Sequence, residues 1–165
     1  MTSDDTALNT LAARAGAALR KRRWRLALAE SCTGGWVAKL VTDIPGSSEW
    51  FERGYVVYAN AAKTELLGVS ADTLARHGAV SVEVVRALAL GALTRSHAQV
   101  ALAITGIAGP DGGTPDKPVG TVWFAAASQA EGRVEHRVFE GDRDAVRRQA
   151  VAHALRLLIE TCAAA

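Results

Sequence analysis

Leu26-Ala-Leu-Ala-Glu-Ser31-Cys-Thr-Gly-Gly35 sets four apolar residues directly before a short polar turn and a glycine pair. An apolar run this short, bounded by turn residues, reads as a buried strand over Leu26–Ala29, with a helix from about Gly35 to Thr42. The arrangement recurs downstream, where Val100-Ala-Leu-Ala-Ile104 opens into Thr105-Gly-Ile-Ala-Gly-Pro-Asp-Gly-Gly113. Two apolar strands that each end in a loop of small residues point to an open α/β fold. In such folds ligands gather at the carboxyl ends of the strands.

Working outward, Leu8, Leu11, Ala12, Ala15 and Leu19 recur at helical spacing and predict a first helix from about Asp5 to Arg22. Tyr55-Val-Val-Tyr58 has the aromatic and β-branched character of a strand, with Tyr58 on the same face as Val56. Asn60 suits the N-cap of a short helix closed by Gly68, which would make Lys63 its third residue. Two more helices are expected, Ala71–His77 and Val82–Arg95, the second capped by Ser81. Strands over Gly120–Ala127 and Arg133–Phe139 then form a hairpin. A last helix starts near Asp142, with Val146, Ala150, His153, Ala154, Leu157 and Leu158 facing inward. Interleaved strands and helices predict a single-domain α/β sandwich over residues 1–165, its mixed β-sheet flanked by helices.

Composition narrows the function classes. Hydrophobic residues make up 49% and charged residues 22% of the 165, so the chain can bury a core. Lys and Arg exceed Asp and Glu by 19 to 17, too small a surplus for a dedicated nucleic-acid binder. The Arg20-Lys-Arg-Arg23 run reads as cations complementing a helix C-terminus. Cys32 and Cys162 form neither a disulfide framework nor a metal-ligand spacing. His77, His97, His136 and His153 show no ligand spacing and no apparent partner, so no metal and no cofactor is expected. No apolar run approaches a membrane span and the N-terminus is acidic rather than signal-like. The cytoplasm is the expected location, and no membrane partner is expected.

The chemistry-bearing residues have two readings each. Ser31 stands between a strand and a helix, where it either caps the helix or acts as a nucleophile. Lys63, at the start of a helix, is either solvated or an amine whose pKa the helix dipole and burial depress. A neutral amine is what a serine hydroxyl needs as general base. Tyr58 either packs in the core or transfers a proton. Cys32 is either inert packing or a nucleophile. Arg143 either lies on the surface or clamps a phosphate. Gly34 and Gly35 allow close approach of a ligand to the backbone, and the helix after them offers N–H groups and a positive dipole end.

Taken together, Ala29-Glu-Ser-Cys-Thr-Gly-Gly35, Tyr58-Ala-Asn-Ala-Ala-Lys63, Ile104-Thr-Gly-Ile-Ala-Gly-Pro-Asp-Gly-Gly113 and Lys117-Pro-Val-Gly-Thr-Val122 resemble the CinA C-terminal domain in order and spacing. The likeness spans nearly the whole chain. No molybdopterin-binding-like domain precedes these motifs, so the resemblance is to the stand-alone bacterial form. It implies hydrolysis of the carboxamide of nicotinamide mononucleotide to nicotinate mononucleotide and ammonia, in pyridine-nucleotide salvage. It further implies a metal-free serine–lysine centre, with Ser31 as the nucleophile or the hydroxyl that positions water, Lys63 as general base, and Tyr58 assisting proton transfer or holding the pyridine ring. Glu30, Cys32, Thr33, Gly34, Gly35, Asn60, Thr105, Gly106, Ala108, Gly109 and Arg143 would surround a small nucleotide substrate, with Arg143 toward the phosphate. A homo-oligomer is expected. Three rival readings stand beside it: a non-catalytic nucleotide-binding module, an amidase for another small amide, and a nucleic-acid binder acting through the Arg20 to Arg25 region, which would require salt-steep affinity for DNA. The first of these predicts nucleotide binding without ammonia release.

Overall fold

The computed structural model describes residues 3–164, and the side chains of residues 5–164. Six α-helices, α1 (Ser3–Arg22), α2 (Trp36–Thr42), α3 (Asn60–Leu67), α4 (Ala71–His77), α5 (Val82–Thr94) and α6 (Arg143–Ala164), accompany five strands, in the chain order α1-β1-α2-β2-α3-α4-α5-β3-β4-β5-α6. The strands are β1 (Leu26–Glu30), β2 (Phe51–Val56), β3 (Val100–Gly106), β4 (Thr121–Ser128) and β5 (Gly132–Val138). They form one sheet in the order β2-β1-β3-β4-β5. β1 runs parallel to both β2 and β3, whereas β3, β4 and β5 are successively antiparallel. The sheet is therefore mixed, and β4–β5 is the expected hairpin.

The alternation within the strands explains the layering. Successive side chains of a strand point to opposite faces. One face of the sheet carries Leu26, Leu28, Val100, Leu102, Ile104, Val122 and Phe124, and these pack with α1, α2 and α6. The opposite face carries Ala27, Ala29, Ala101, Ala103 and Ala125, and these pack with α5 residues such as Val84, Val85 and Leu88. The large residues fill the space beneath three helices, and the alanine face lets α5 lie close against the sheet. Burying both faces removes the apolar surface of both sets from water, at roughly 25 cal/mol per Å² of apolar area. Gly91 of α5 continues this close packing, because a Cβ there would come within 2.2 Å of the Leu67 carbonyl oxygen.

Strand β2 differs from the expectation over Tyr55–Tyr58. It begins at Phe51 and ends at Val56. Its Glu52-Arg53-Gly54 stretch is too polar to read as a strand, yet β2 is an edge strand, where Glu52 and Arg53 are half-buried and pair with each other at 2.6 Å. Val57 and Tyr58 lie beyond it, so Tyr58 belongs to a loop and does not share a strand face with Val56. Ala59, not Asn60, is the N-cap of α3, and no side chain caps that helix. Asn60 is thus the first helical residue and Lys63 the fourth. Ser81 does cap α5, accepting from the Val84 amide at 3.3 Å.

The histidines have partners that the sequence does not show, His97 beside Glu52 among them. His153 Nε2 lies 2.8 Å from Glu135 Oε2 and its ring packs on Phe124. His136 stacks on Trp123, and His77 Nδ1 faces Glu83. These contacts serve the scaffold. Among the described residues no helix is long and apolar enough to cross a membrane.

Candidate active site

β2, β1 and β3 lie side by side and run in the same direction, so their carboxyl ends open at one edge of the sheet. A cavity of about 270 Å³ sits there. Ser31 and Cys32 reach it from the end of β1, and Tyr58, Asn60 and Lys63 from the segment after β2. Thr105 and Gly106, at the end of β3, line it together with Ala108 and Gly109. Arg143, at the first position of α6, completes the wall. Ten of the fourteen residues expected around a substrate therefore meet in one cavity.

The other four, Glu30, Thr33, Gly34 and Gly35, are not in its lining. The Glu30 carboxylate is buried and points under α2 instead. Its Oε2 accepts from Thr33 Oγ1 at 2.6 Å, Val37 N at 3.1 Å and Gly35 N at 3.2 Å. Its Oε1 accepts from Ala38 N at 2.8 Å. This corrects two expectations. Glu30 has its oxygens engaged by the protein, and the N-terminus of α2 is filled by that carboxylate, leaving it unable to take a substrate phosphate. The favourable pairing of an anion with a helix N-terminus is realised internally. Glycine is required at positions 34 and 35, whose φ angles are +59° and +92°. Ser31 caps nothing: the N-cap of α2 is Gly35.

Lys63 is 1% exposed. Its Nζ donates to the Tyr58 carbonyl oxygen at 2.9 Å. Burial lowers its pKa from the ordinary lysine value, a shift the neighbouring Cys32 sulfur partly opposes. Cys32 itself is pushed up to about 12, chiefly by burial, and stays a neutral thiol. Tyr58, 56% exposed, is not a core residue. Its phenol oxygen accepts from Arg143 Nη2 at 2.9 Å, while Arg143 Nη1 donates to the Gly109 carbonyl at 2.9 Å. Arg143 thereby ties the Tyr58 loop to the loop after β3. Thr105 Oγ1 donates to Ala79 O at 2.8 Å and holds the segment between α4 and α5 against the cavity.

The backbone amides around Ser31 hold the turn itself. The Ser31 amide is used by Ile104 O and the Gly34 amide by Ser31 O, both at 3.0 Å. The next amide along the chain, that of Cys32, points toward its own thiol sulfur. Together these features bring a hydroxyl and a buried amine of depressed basicity to one small cavity, the nucleophile and base of acyl transfer.

The CinA C-terminal domain family matches residues 8–162. The chain belongs to the CinA C-terminal domain family. Among its relatives, the nicotinamide-nucleotide amidohydrolase PncC of Escherichia coli K12 is 57% identical over 155 residues, covering 93% of this chain and 94% of that protein. PncC of Pseudomonas putida is 52% identical over 153 residues, covering 93% and 96%. A solved CinA superfamily structure from Klebsiella pneumoniae superposes with a TM-score of 0.92 at 40% identity, over 96% of this chain and 99% of that one.

Within this CinA domain, sequence reasoning missed Ala79, Val80, Ile107, Asp111 and Gly112 in the cavity wall. It also missed Arg147, whose Nε donates to Cys32 O at 3.0 Å and whose Nη2 donates to Thr33 O at 3.1 Å. One signal was available. Arg147 follows Arg143 by four residues and so shares its face of α6.

Proposed function

We propose that this chain, as one domain over residues 1–165, hydrolyses the carboxamide of nicotinamide mononucleotide to nicotinate mononucleotide and ammonia in pyridine-nucleotide salvage. The observation that carries the chemistry is the meeting of Ser31 and the buried Lys63 in a single cavity, in a chain 57% identical to a nicotinamide-nucleotide amidohydrolase. A carboxamide is a weak electrophile, so attack needs an activated hydroxyl. Neutral Lys63 takes the Ser31 proton as the hydroxyl oxygen bonds to the amide carbon. The proton held by Lys63 then passes to the amide nitrogen, with Tyr58 assisting, and ammonia leaves as the C–N bond breaks. Water, deprotonated by the same amine, releases the carboxylate and restores Ser31.

Arg143 faces the nucleotide phosphate, whose remote binding energy orients the ring. The reaction draws on these protein groups and water, without a cofactor. The protein works in the cytoplasm as a homo-oligomer, without nucleic-acid or membrane partners. Ammonia release from nicotinamide mononucleotide in the presence of a chelator, compared with Ser31→Ala, tests the proposal. No release above that control sinks it.

A further inference from the structure

We propose that Arg147 is a positioning residue of this centre, whose guanidinium sets the peptide planes between Ser31 and Gly34 and so aims the hydroxyl that acts on substrate. The inference rests on the amidase reading above and adds a residue that does not line the cavity.

Three contacts carry it. Nε and Nη2 of Arg147 hold two successive carbonyl oxygens, those of Cys32 and Thr33, at 3.0 and 3.1 Å. The guanidinium carbon also lies 5.4 Å from the centroid of the Trp36 ring, which steadies the fork from the helix that follows the loop. A peptide group is planar and trans, so its C=O and N–H point in opposite directions. Drawing Thr33 O toward Arg147 therefore turns the Gly34 N–H away, where it meets Ser31 O at 3.0 Å. That bond in turn fixes the Ser31 carbonyl and aims the Cys32 N–H the opposite way. One rigid fork thus specifies three consecutive peptide planes.

Glu30 and Arg147 grip the loop with opposite polarity. The carboxylate takes N–H groups at its helix end, and the guanidinium takes the carbonyls. A lysine at 147 would supply charge without the planar pair of donors.

The test measures steady-state kinetics of Arg147→Lys and Arg147→Ala on nicotinamide mononucleotide, with nicotinate mononucleotide binding measured by calorimetry. We expect kcat to fall about 100-fold, the scale of an approximately 1 Å misplacement of reacting groups. KM and product affinity should stay near wild type, as should the melting temperature of Arg147→Lys. A wild-type kcat in Arg147→Lys overturns the proposal, as does a raised KM with kcat intact, which would mark Arg147 as a substrate-binding group. Should Arg147→Ala not fold, Arg147→Lys carries the test. A wild-type enzyme that releases no ammonia defeats the amidase reading itself, an outcome distinct from an active enzyme indifferent to Arg147.

Discussion

Lys63 Nζ donates to the carbonyl oxygen of Tyr58 at 2.9 Å, tethering the buried amine to the loop that carries the exposed phenol. Donation to a carbonyl asks only for an N–H, which a neutral amine still has. The bond therefore fixes the position of the nitrogen in either protonation state and leaves the neutral form a lone pair.

That state sets the pH dependence. Burial holds the Lys63 pKa below 10.5, so the neutral fraction grows as pH rises through the lowered value. kcat/KM should rise along that limb and level off above it, with its midpoint below the ordinary lysine range. Lys63→Arg, permanently protonated, should lose roughly 10²–10⁴ in kcat with its fold intact. A flat profile, or an active Lys63→Arg, would remove the lysine from the mechanism. Stability follows the same sign. Between the lowered folded pKa and the unfolded value the unfolded chain binds more protons, so Lys63 makes the fold more stable as pH rises across that interval.

Cys32→Ala should keep its turnover. The reactive form of cysteine is the thiolate, and burial pushes this thiol up to about 12. Iodoacetamide at neutral pH should leave the wild type active. Inactivation by either treatment would point to thiol chemistry.

Glu30→Ala removes the acceptor of three amides and one hydroxyl at the start of α2. Bonds to a charged acceptor contribute about 1.5–3 kcal/mol each, and they are not additive. The variant should lose about 3 kcal/mol in urea denaturation, a scale set by the unpaired donors left behind. Glu30→Gln should retain part of that stability. Unchanged stability combined with a raised KM would restore Glu30 to the substrate.

Arg143→Ala should weaken kcat/KM for nicotinamide mononucleotide about tenfold, the value of one charge-assisted hydrogen bond. Against nicotinamide riboside, which lacks the phosphate, the same substitution should do little. Equal losses on both substrates would confine Arg143 to its bonds with Tyr58 and Gly109.

The layered sheet was legible because it is written in local periodicity. Leu26-Ala-Leu-Ala and Val100-Ala-Leu-Ala-Ile carry their two faces in alternate residues, and the loops after them mark the strand ends. β2 was misplaced because an edge strand carrying Glu52 and Arg53 lacks that alternation.

What the sequence determined by itself was the fold and the edge of the sheet at which a cavity forms, because these follow from period, punctuation and strand direction along the chain, whereas the set of residues expected there came from the family resemblance. The tertiary structure alone decided which polar groups face the cavity and which are consumed holding it. Glu30 and Ser31 are neighbours, yet one carboxylate turns under α2 while the next hydroxyl opens to the cavity. Arg147 grips Cys32 from 115 residues away. A side chain's partner depends on what packing brings within about 3 Å, and nothing in the order of residues encodes that distance.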